Sequence, residues 1–310
     1  MIKAFALGIY PRSPKLIDAT RKREKKLQML FKMEKKKLIK EQQKAKLSYV
    51  CDPLLDWNDM FRPFSDLKCI SLGALNRFFE TNTFYRRLII NDELDDYSSI
   101  TKSNLAFSLL PKNKEVAACM ADPYTFADLN ENRYYKNHTD YLFAIAEMLK
   151  KEAQALAKAK VKFIQLNAPS IAYRSNNIDL SLVKDAIERI KQGLKAKVFL
   201  HVYFGSVSKI FSKLLDIKID GLSIDVSSTD LNSLIDYKVD NGLCLGAVNA
   251  MSTRMEDVKE TAKTISNAFD KMDPKEAYIN TTCDLEFLPY AFAVKKLSRL
   301  GLIARRIKYD

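Results

Sequence analysis

Three residues able to bind a metal ion lie in, or directly after, apolar strand-like segments of this sequence. His201 lies within the run Phe-Leu-His-Val-Tyr-Phe, Asp225 falls near the end of a second run, and Cys283 follows a third. If these strands are parallel neighbours in a barrel, their carboxyl ends meet at one mouth, where barrel enzymes place their active sites. Imidazole, carboxylate and thiolate then form a candidate zinc site with one position open for catalysis. The alternative is structural, with His201 hydrogen-bonded in the core and Asp225 capping the next helix.

The elements that position these residues alternate between short apolar runs and helical patterns. Because parallel strands need long crossover connections, the alternation predicts an α/β fold, a (β/α)8 TIM barrel. The predicted strands cover residues 4–8, 47–51, 105–110, 161–167, 197–204, 221–226, 244–248 and 277–281. The clearest predicted helices cover residues 140–160, 180–193, 206–215, 255–271 and 290–300. Residues 65–100 interrupt the alternation of strands and helices, and their pattern predicts an inserted hairpin around a short helix at 74–80. An open nucleotide-binding sheet is the alternative, but no Gly-rich phosphate loop occurs.

The positive charge of the chain is concentrated in its first part. The formal net charge is +13, and residues 1–50 carry 15 Lys and Arg against 4 Asp and Glu. Apolar residues recur at helical spacing between residues 18 and 46, which predicts a long basic amphipathic helix. Its outer face could bind nucleic acid or the polyanionic tail of a ligand, or could simply be solvated. No RNP motif, paired zinc-finger ligands or Gly-rich KH loop supports the nucleic-acid alternative.

The composition excludes several classes of protein. With 47% hydrophobic and 29% charged residues the chain is too apolar to be disordered, and 8 Gly with 9 Pro exclude linker-rich chains. No apolar run approaches the roughly 20 residues that a membrane span needs. The five cysteines are widely spaced and odd in number, which argues against a disulfide framework. We therefore predict a soluble, cytoplasmic protein with one domain, residues 1–310, and no membrane partner.

Six segments, in a fixed order, resemble motifs of cobalamin-independent methionine synthase. They read FALGIYPR at 5–12, CDPLLDWNDMF at 51–61, PYTFA at 123–127, FIQLNAP at 163–169, LSIDV at 222–226 and YINTTCDLE at 278–286. Each motif is modest alone, but the ordered set spans nearly the whole chain. The resemblance implies a (β/α)8 barrel, because the full-length enzyme resembles two such barrels fused. It also implies a reaction in which a methylated reduced pterin gives its methyl group to the sulfur of homocysteine.

The resemblance implies a degenerate form of the family's zinc site. The C-terminal barrel of the family binds zinc through a His-x-Cys pair, a Glu and a final Cys. In this sequence His201 and Cys283 keep their types, whereas Tyr203 replaces the first Cys and Asp225 replaces the Glu. A neutral Tyr is a poor substitute for a thiolate.

Positions that hold homocysteine in the catalytic barrel are also replaced. Under the resemblance, Ile9 stands for a substrate-binding Ser, Leu54 for a Glu and Asn167 for an Asp. Because an ammonium group needs carboxylates, these replacements should abolish homocysteine binding.

The N-terminal barrel of the family, which helps to hold the folate's glutamate tail, fits the sequence better. Its segment Trp-Phe-Asn-Thr-Asn-Tyr-His-Tyr resembles FFETNTFY at 78–85, and its tail-binding Lys matches Arg77. A second basic run of the family falls on the non-basic residues 16–19, with Arg12 and Lys15 close by. The resemblance thus implies a pterin or anion site formed by Arg12, Lys15 and Arg77.

The resulting prediction is a stand-alone barrel of archaeal type, similar to the N-terminal half of the family. It would assist a separate catalytic barrel protein in methyl transfer to homocysteine, with a methylated reduced pterin as the donor. One alternative is a zinc-dependent homocysteine S-methyltransferase in its own right, using His201, Asp225 and Cys283. Another is a basic protein that binds nucleic acid or serves as a scaffold.

Overall fold

Eight parallel strands form the main sheet of the computed structural model, which describes residues 2–94 and 99–309. The strands of the chain are β1 (Lys3–Ala4), β2 (Tyr49–Val50), β3 (Ile70–Arg77), β4 (Phe84–Ile90), β5 (Glu115–Ala121), β6 (Glu131–Asn132), β7 (Val161–Asn167), β8 (Lys197–Val202), β9 (Gly221–Ile224), β10 (Gly242–Val248) and β11 (Glu276–Thr281). The main sheet has the order β1-β11-β10-β9-β8-β7-β5-β2. Its end strands meet where the Ser48 amide donates to the Ala4 carbonyl at 2.8 Å. The predicted (β/α)8 barrel is confirmed.

Helices connect the strands on the outside of this barrel. They are α1 (Pro14–Arg21), α2 (Leu27–Lys44), α3 (Ile100–Ser103), α4 (Pro123–Leu129), α5 (His138–Lys158), α6 (Pro169–Tyr173), α7 (Leu180–Lys191), α8 (Phe211–Leu215), α9 (Val258–Met272) and α10 (Tyr290–Arg306). Within the described ranges, every helix is too short or too polar to cross a membrane.

Aromatic rings fill the barrel interior near the amino-terminal ends of the strands. Phe163 packs against both Phe5 and Phe199 with ring centroids 4.7 Å apart. Two glycines make room for the Phe199 ring, because a Cβ at Gly221 or Gly242 would lie 2.5 or 2.4 Å from it. Because these rings fill the amino-terminal end of the barrel, a ligand-binding site is expected at the opposite, carboxyl-terminal end.

Most predicted strands agree with the structure, and one is wrong. Residues 161–167 are both predicted and observed as β7, and the last four barrel strands overlap their predicted ranges. The run 105–110 instead contains a short 3-10 helix, and the third barrel strand is β5. Leu105 and Phe107 pack against the core as apolar cover. β5 reads Glu-Val-Ala-Ala-Cys-Met-Ala, and its alanines are poor strand formers, so the pattern does not reveal it.

The predicted hairpin insertion is confirmed, but its predicted helix is wrong. β3 and β4 pair antiparallel along their length, and β4 pairs with β6. Residues 74–77 therefore belong to β3 and not to a helix at 74–80, because cross-strand pairing overrides the local pattern. The amide of Phe78 donates to the Thr83 carbonyl at 3.0 Å and closes the turn.

The basic segment forms two helices rather than the single helix predicted for residues 18–46. A turn separates α1 from α2, and Arg23 in this turn has a φ of 50°, in the left-handed region. The other Lys and Arg of the two helices are exposed, but Lys35 is buried. Its ammonium group lies 2.9 Å from Asp52 and 2.7 Å from Asp56. This ion-pair group holds α2 against the loop after β2.

The close approach of α10 to the end of α2 gives a test of this packing. A Cβ at Gly301 would lie 1.9 Å from the Ala45 carbonyl oxygen, so we expect Gly301→Ala to lower the free energy of unfolding by about 3 kcal/mol. At Gly193, which has a φ of 74°, a Cβ would meet nothing within 4 Å. Gly193→Ala should therefore cost only about 1 kcal/mol of backbone strain. Denaturant unfolding measures both variants, and equal losses would contradict the packing described.

Candidate functional site

A cleft opens at the carboxyl-terminal mouth of the barrel, where the loops after β1, β2 and β11 meet. Its volume is about 480 Å³, and its lining includes Ile9, Arg12, Trp57, Asn58 and Glu286. Apolar side chains form most of the wall, and Arg12 and Glu286 supply the ionisable groups. Small-molecule sites commonly combine such apolar walls with a few charged groups.

Arg12 is held in this cleft by the loop after β2. Its Nε donates to the Leu55 carbonyl at 2.7 Å, and its Nη2 donates to the Trp57 carbonyl at 3.3 Å and to Asn58 Oδ1 at 3.1 Å. Burial lowers the pKa of Arg12, and nearby carboxylates oppose this shift. The structure thus gives the predicted residue Arg12 a fixed position in the wall of the cleft.

The other two predicted anion-binding residues lie outside the lining of the cleft. Lys15 is exposed on α1. Arg77 is exposed at the end of β3, where its Nε donates to the Thr81 carbonyl at 2.5 Å. The structure therefore does not bring Arg12, Lys15 and Arg77 together around one pocket, and their contacts with a ligand anion stay predictions.

A carboxyl group that the sequence analysis does not single out lies buried at this mouth. The carboxyl oxygens of Asp284 accept hydrogen bonds from the Ile9 amide at 2.9 Å and from Asn167 Nδ2 at 3.3 Å. The carboxyl occupies the space that a side chain at residue 8 would take, because a Cβ at Gly8, whose φ is 115°, would lie 2.4 Å from it. Burial raises the pKa of Asp284 to about 7.

A second unpredicted carboxyl group, that of Glu286, lines the cleft itself. Burial raises the pKa of Glu286 well above its usual range, the charges of Asp284 and Asp59 raise it further, and Arg12 lowers it. The Glu286 amide donates to the Ile9 carbonyl at 2.9 Å. The sequence contained a signal for both acids, since Cys-Asp-Leu-Glu follows a barrel strand at its carboxyl end.

The candidate metal ligands His201 and Asp225 each have other hydrogen-bond partners. Ser223 Oγ lies 2.8 Å from His201 Nδ1, and burial lowers the pKa of His201 to about 4. The Asp225 carboxylate accepts from the Ser227 amide at 2.8 Å and from the hydroxyls of Ser227 and Ser228 at 2.6 and 2.7 Å. Asp225 thus caps the turn after β9. This is similar to the structural alternative for Asp225, in which it caps the next helix.

The remaining candidates, Cys283 and Tyr203, are buried and poorly suited to bind a metal. Burial raises the pKa of the Cys283 thiol, and the charges of Asp284 and Asp225 raise it further, which disfavours the thiolate form. Tyr203 stacks on His201 with ring centroids 4.9 Å apart. Across residues 2–94 and 99–309, no group of three or more His, Cys, Asp or Glu side chains is arranged to hold a metal ion. The four candidates do not fit a zinc centre in this arrangement.

The tip of the β3–β4 hairpin covers the centre of the barrel mouth with aromatic rings. Phe78 stacks on Phe287 with centroids 6.4 Å apart and lies 6.0 Å from Phe204. Phe79 packs against Phe204 and Tyr173 at 5.6 and 5.0 Å. Phe79 and Phe204 have φ values of 48° and 66°, which bulky residues rarely adopt. The hairpin therefore covers the centre of the barrel mouth, and the cleft lies beside the hairpin.

These features define a (β/α)8 barrel with a small-molecule cleft at its carboxyl-terminal mouth. Residues 6–306 match the sequence family described as "Cobalamin-independent synthase, Catalytic domain". The chain therefore belongs to the cobalamin-independent methionine synthase family. The resemblance found in the sequence is confirmed, although the matching family is described as the catalytic domain rather than as an N-terminal barrel.

Similar proteins occur among archaeal methionine synthases. The chain is 25% identical over 233 residues to the methionine synthase of Pyrococcus furiosus, and the match covers 74% of this chain and 68% of that protein. It is 27% identical over 176 residues to the methionine synthase of Sulfolobus acidocaldarius, covering 56% of this chain and 51% of that protein. The second match thus spans about half the length of that relative.

Two solved structures share the fold. A B12-independent methionine synthase from Shewanella sp. W3-18-1, in complex with selenomethionine, has a TM-score of 0.78 at 18% identity, covering 98% of this chain and 96% of that one. A putative vitamin-B12 independent methionine synthase from Listeria monocytogenes has a TM-score of 0.78 at 15% identity, covering 100% of both chains. At these identities the two structures establish the fold of the chain.

The buried Asp284 carboxyl predicts a pH dependence of stability. Its folded pKa of about 7 exceeds the unfolded value of about 4, so between these values only the folded chain keeps the proton. Stability should therefore fall as the pH rises from about 4 to about 7. Asp284→Asn removes this dependence. The free energy of unfolding of the variant minus that of the original protein should therefore rise by about 2 kcal/mol between about pH 5 and about pH 8.

Denaturant unfolding at the two pH values measures this effect. Asp216→Asn, which changes an exposed carboxyl, is the matched control and should show no such change. Parallel pH profiles for Asp284→Asn and the original protein would contradict the buried position of Asp284.

Proposed function

We propose that this chain is an assisting barrel of methionine biosynthesis. It binds a methylated reduced pterin and supports methyl transfer to homocysteine by a separate catalytic barrel protein. One observation carries the proposal: in the described part of the chain, His201, Tyr203, Asp225 and Cys283 do not converge into a metal-binding group. Since His201 and Asp225 bond to serines instead, a partner with a full set of ligands would supply the metal chemistry.

The cleft suits a flat, partly apolar donor molecule. Its volume of about 480 Å³ and the rings of Trp57 and Tyr290 in its lining fit a ring system of pterin size. Arg12 supplies a positive charge for an anionic group of the ligand. Lys15 and the exposed lysines of α2 extend this charge beyond the cleft, and Arg77 adds a further charge on the hairpin.

Reconstitution with a catalytic barrel protein tests the assisting role. Mixed with such a protein from the same cells, one that keeps the family's zinc ligands, the chain should raise the rate of homocysteine methylation at least about tenfold, because it helps to position the donor. The rate of methionine formation measures the effect. The absence of both binding and a rate increase on mixing would contradict the proposal.

Two charge variants test how the donor is bound. Lys15→Gln and Arg77→Gln each remove one exposed charge, so each should raise the Kd for a methylated reduced pterin with a glutamate tail about threefold. Lys195→Gln, an exposed lysine just before β8 at the amino-terminal end, is the matched control and should leave the Kd unchanged. Titration calorimetry measures the Kd, and unchanged values in both variants would exclude these charges from donor binding.

A second candidate function is a zinc-dependent homocysteine S-methyltransferase that acts alone. The family match favours this candidate, because the matching family is described as a catalytic domain. The zinc would have to be held by His201, Asp225 and Cys283. Asp225 would first have to give up its hydrogen bonds to Ser227 and Ser228. His201 could keep its Nδ1 contact with Ser223 and bind the zinc through Nε2.

Metal analysis of the purified chain separates the two functions. The assisting barrel should contain no stoichiometric zinc and should not methylate homocysteine alone, because the thiol of Cys283 is disfavoured as a thiolate. Stoichiometric zinc that is lost in Cys283→Ala and retained in Cys69→Ala would instead establish the second candidate. Cys69 is the matched control because it is half-buried and lies just before β3.

A further inference from the structure

A groove lies on the outer wall of the barrel, between α9 and the segment that follows α10. This α9 groove has a volume of about 320 Å³. Four exposed cationic side chains line it: Lys259 and Lys263 on α9, and Arg306 and Lys308 at and after the end of α10. Within the part of the chain that the structure describes, none of the four forms a salt bridge. Asp270 is the single carboxyl group of the lining.

This concentration of positive charge is unusual for the part of the chain that carries it. Residues 51–310 contain 36 Lys and Arg against 34 Asp and Glu, so their charges almost cancel. In the lining of the α9 groove, cations instead outnumber carboxyls by four to one. Cations on both walls of a groove repel one another, and their combined field attracts an anion that removes this repulsion. The charge pattern therefore indicates an anion-binding groove.

Hydrogen bonds and packing fix the two walls of the α9 groove. Ser266 Oγ donates to the Lys308 carbonyl at 2.6 Å, which ties the segment after α10 to α9. The hydroxyl of Tyr309 donates to the Pro274 carbonyl at 2.7 Å, and its ring centroid lies 5.6 Å from that of Phe269. Because both backbones are held in place before a ligand arrives, less conformational freedom is lost on binding.

The spacing along α9 indicates a short anion with several negative charges. Lys259 and Lys263 are one helical turn apart, about 6 Å along the axis. Asp270 lies on the same face, roughly 10 Å beyond Lys263, so a carboxylate borders the groove at that end. A long polyanion, such as a nucleic-acid backbone, would meet this carboxylate if it continued along α9. A short chain of phosphate groups would end before it.

We propose that the α9 groove binds a short chain of phosphate groups. Lys ammonium groups and the Arg guanidinium are strong partners of phosphate oxygens, and Arg can hold two of these oxygens at once. The side-chain amide of Asn267, which also lines the groove, offers further N–H donors. The α9 groove shares no lining residue with the cleft at the barrel mouth. The inference therefore goes beyond the proposed function and does not depend on it.

Titration calorimetry at a physiological salt concentration tests the proposal with inorganic triphosphate and orthophosphate. Triphosphate should bind at least about tenfold more tightly, because it can contact cations on both walls. Adenosine triphosphate is the third probe: tighter binding than triphosphate identifies a nucleotide as the source of the phosphates, and equal or weaker binding identifies a free oligophosphate. The absence of saturable triphosphate binding would overturn the proposal.

Because α1 and α2 are also basic, paired variants are needed to assign the binding to the α9 groove. Lys259→Gln combined with Lys263→Gln should raise the Kd for triphosphate about tenfold, since two of the four cations are lost. Lys209→Gln combined with Lys213→Gln removes two exposed lysines with the same spacing at α8. This matched control should leave the Kd unchanged. Equal losses in both double variants, or an unchanged Kd in the first, would overturn the proposal.

The carboxyl group of Asp270 gives a test of opposite sign. Asp270→Asn removes the negative charge at the end of the groove and should lower the Kd for triphosphate about threefold. Asp216→Asn, which changes an exposed carboxyl at the end of α8, is the control and should leave the Kd unchanged. An unchanged Kd in Asp270→Asn would overturn the placement of the ligand along α9.

A short oligothymidylate distinguishes a nucleic-acid surface from a site for a small anion. It should bind more weakly than triphosphate, because the Asp270 carboxylate opposes a backbone that continues along α9. Tighter binding of oligothymidylate, lost when Lys259 and Lys263 are both changed to Gln, would overturn the proposal and assign the α9 groove to nucleic acid.

Discussion

The packing of the Asp284 carboxyl against Gly8 is the constraint on which the structure of the barrel mouth depends. Gly8 leaves the space for the carboxyl, since any Cβ there would lie 2.4 Å from it. The Ile9 amide donates to Asp284, and the Ile9 carbonyl accepts from the Glu286 amide, so the loops after the first and last barrel strands are joined. This junction brings Glu286 to the cleft and keeps Arg12, four residues after Gly8, beside the loop that holds it.

The sequence predicts the fold well where a strand is buried on both faces. Six of the seven residues of β7 are buried, and this strand is predicted to the residue. β5 is missed because its alanines resemble no strand, and the helix predicted at 74–80 fails because pairing with β4 is a non-local interaction. The break of the basic segment at Arg23 has no Pro or Gly to signal it.

The candidate site is less predictable, because its chemistry depends on which neighbours each residue meets. His201 and Asp225 lie at the predicted strand ends, but Ser223 hydrogen-bonds to His201 Nδ1 and Ser227 donates to the Asp225 carboxylate. Whether a polar residue at a barrel mouth is free or satisfied follows from burial and from loop geometry, and the alternation of strands and helices does not determine either. The position of Asp284 after a barrel strand can be read from the sequence, but its raised pKa arises only when two distant loops meet.

The account therefore rests on a buried carboxyl at the mouth that keeps its proton near neutral pH. Carbon-13 NMR of the aspartate side-chain carboxyls over a pH series measures this directly, with Asp284→Asn identifying the signal. We predict a titration midpoint of about 7 for Asp284. A solvated aspartate titrates at about 4. A midpoint at that value for Asp284 would show that water reaches the carboxyl and would contradict the junction between the two loops.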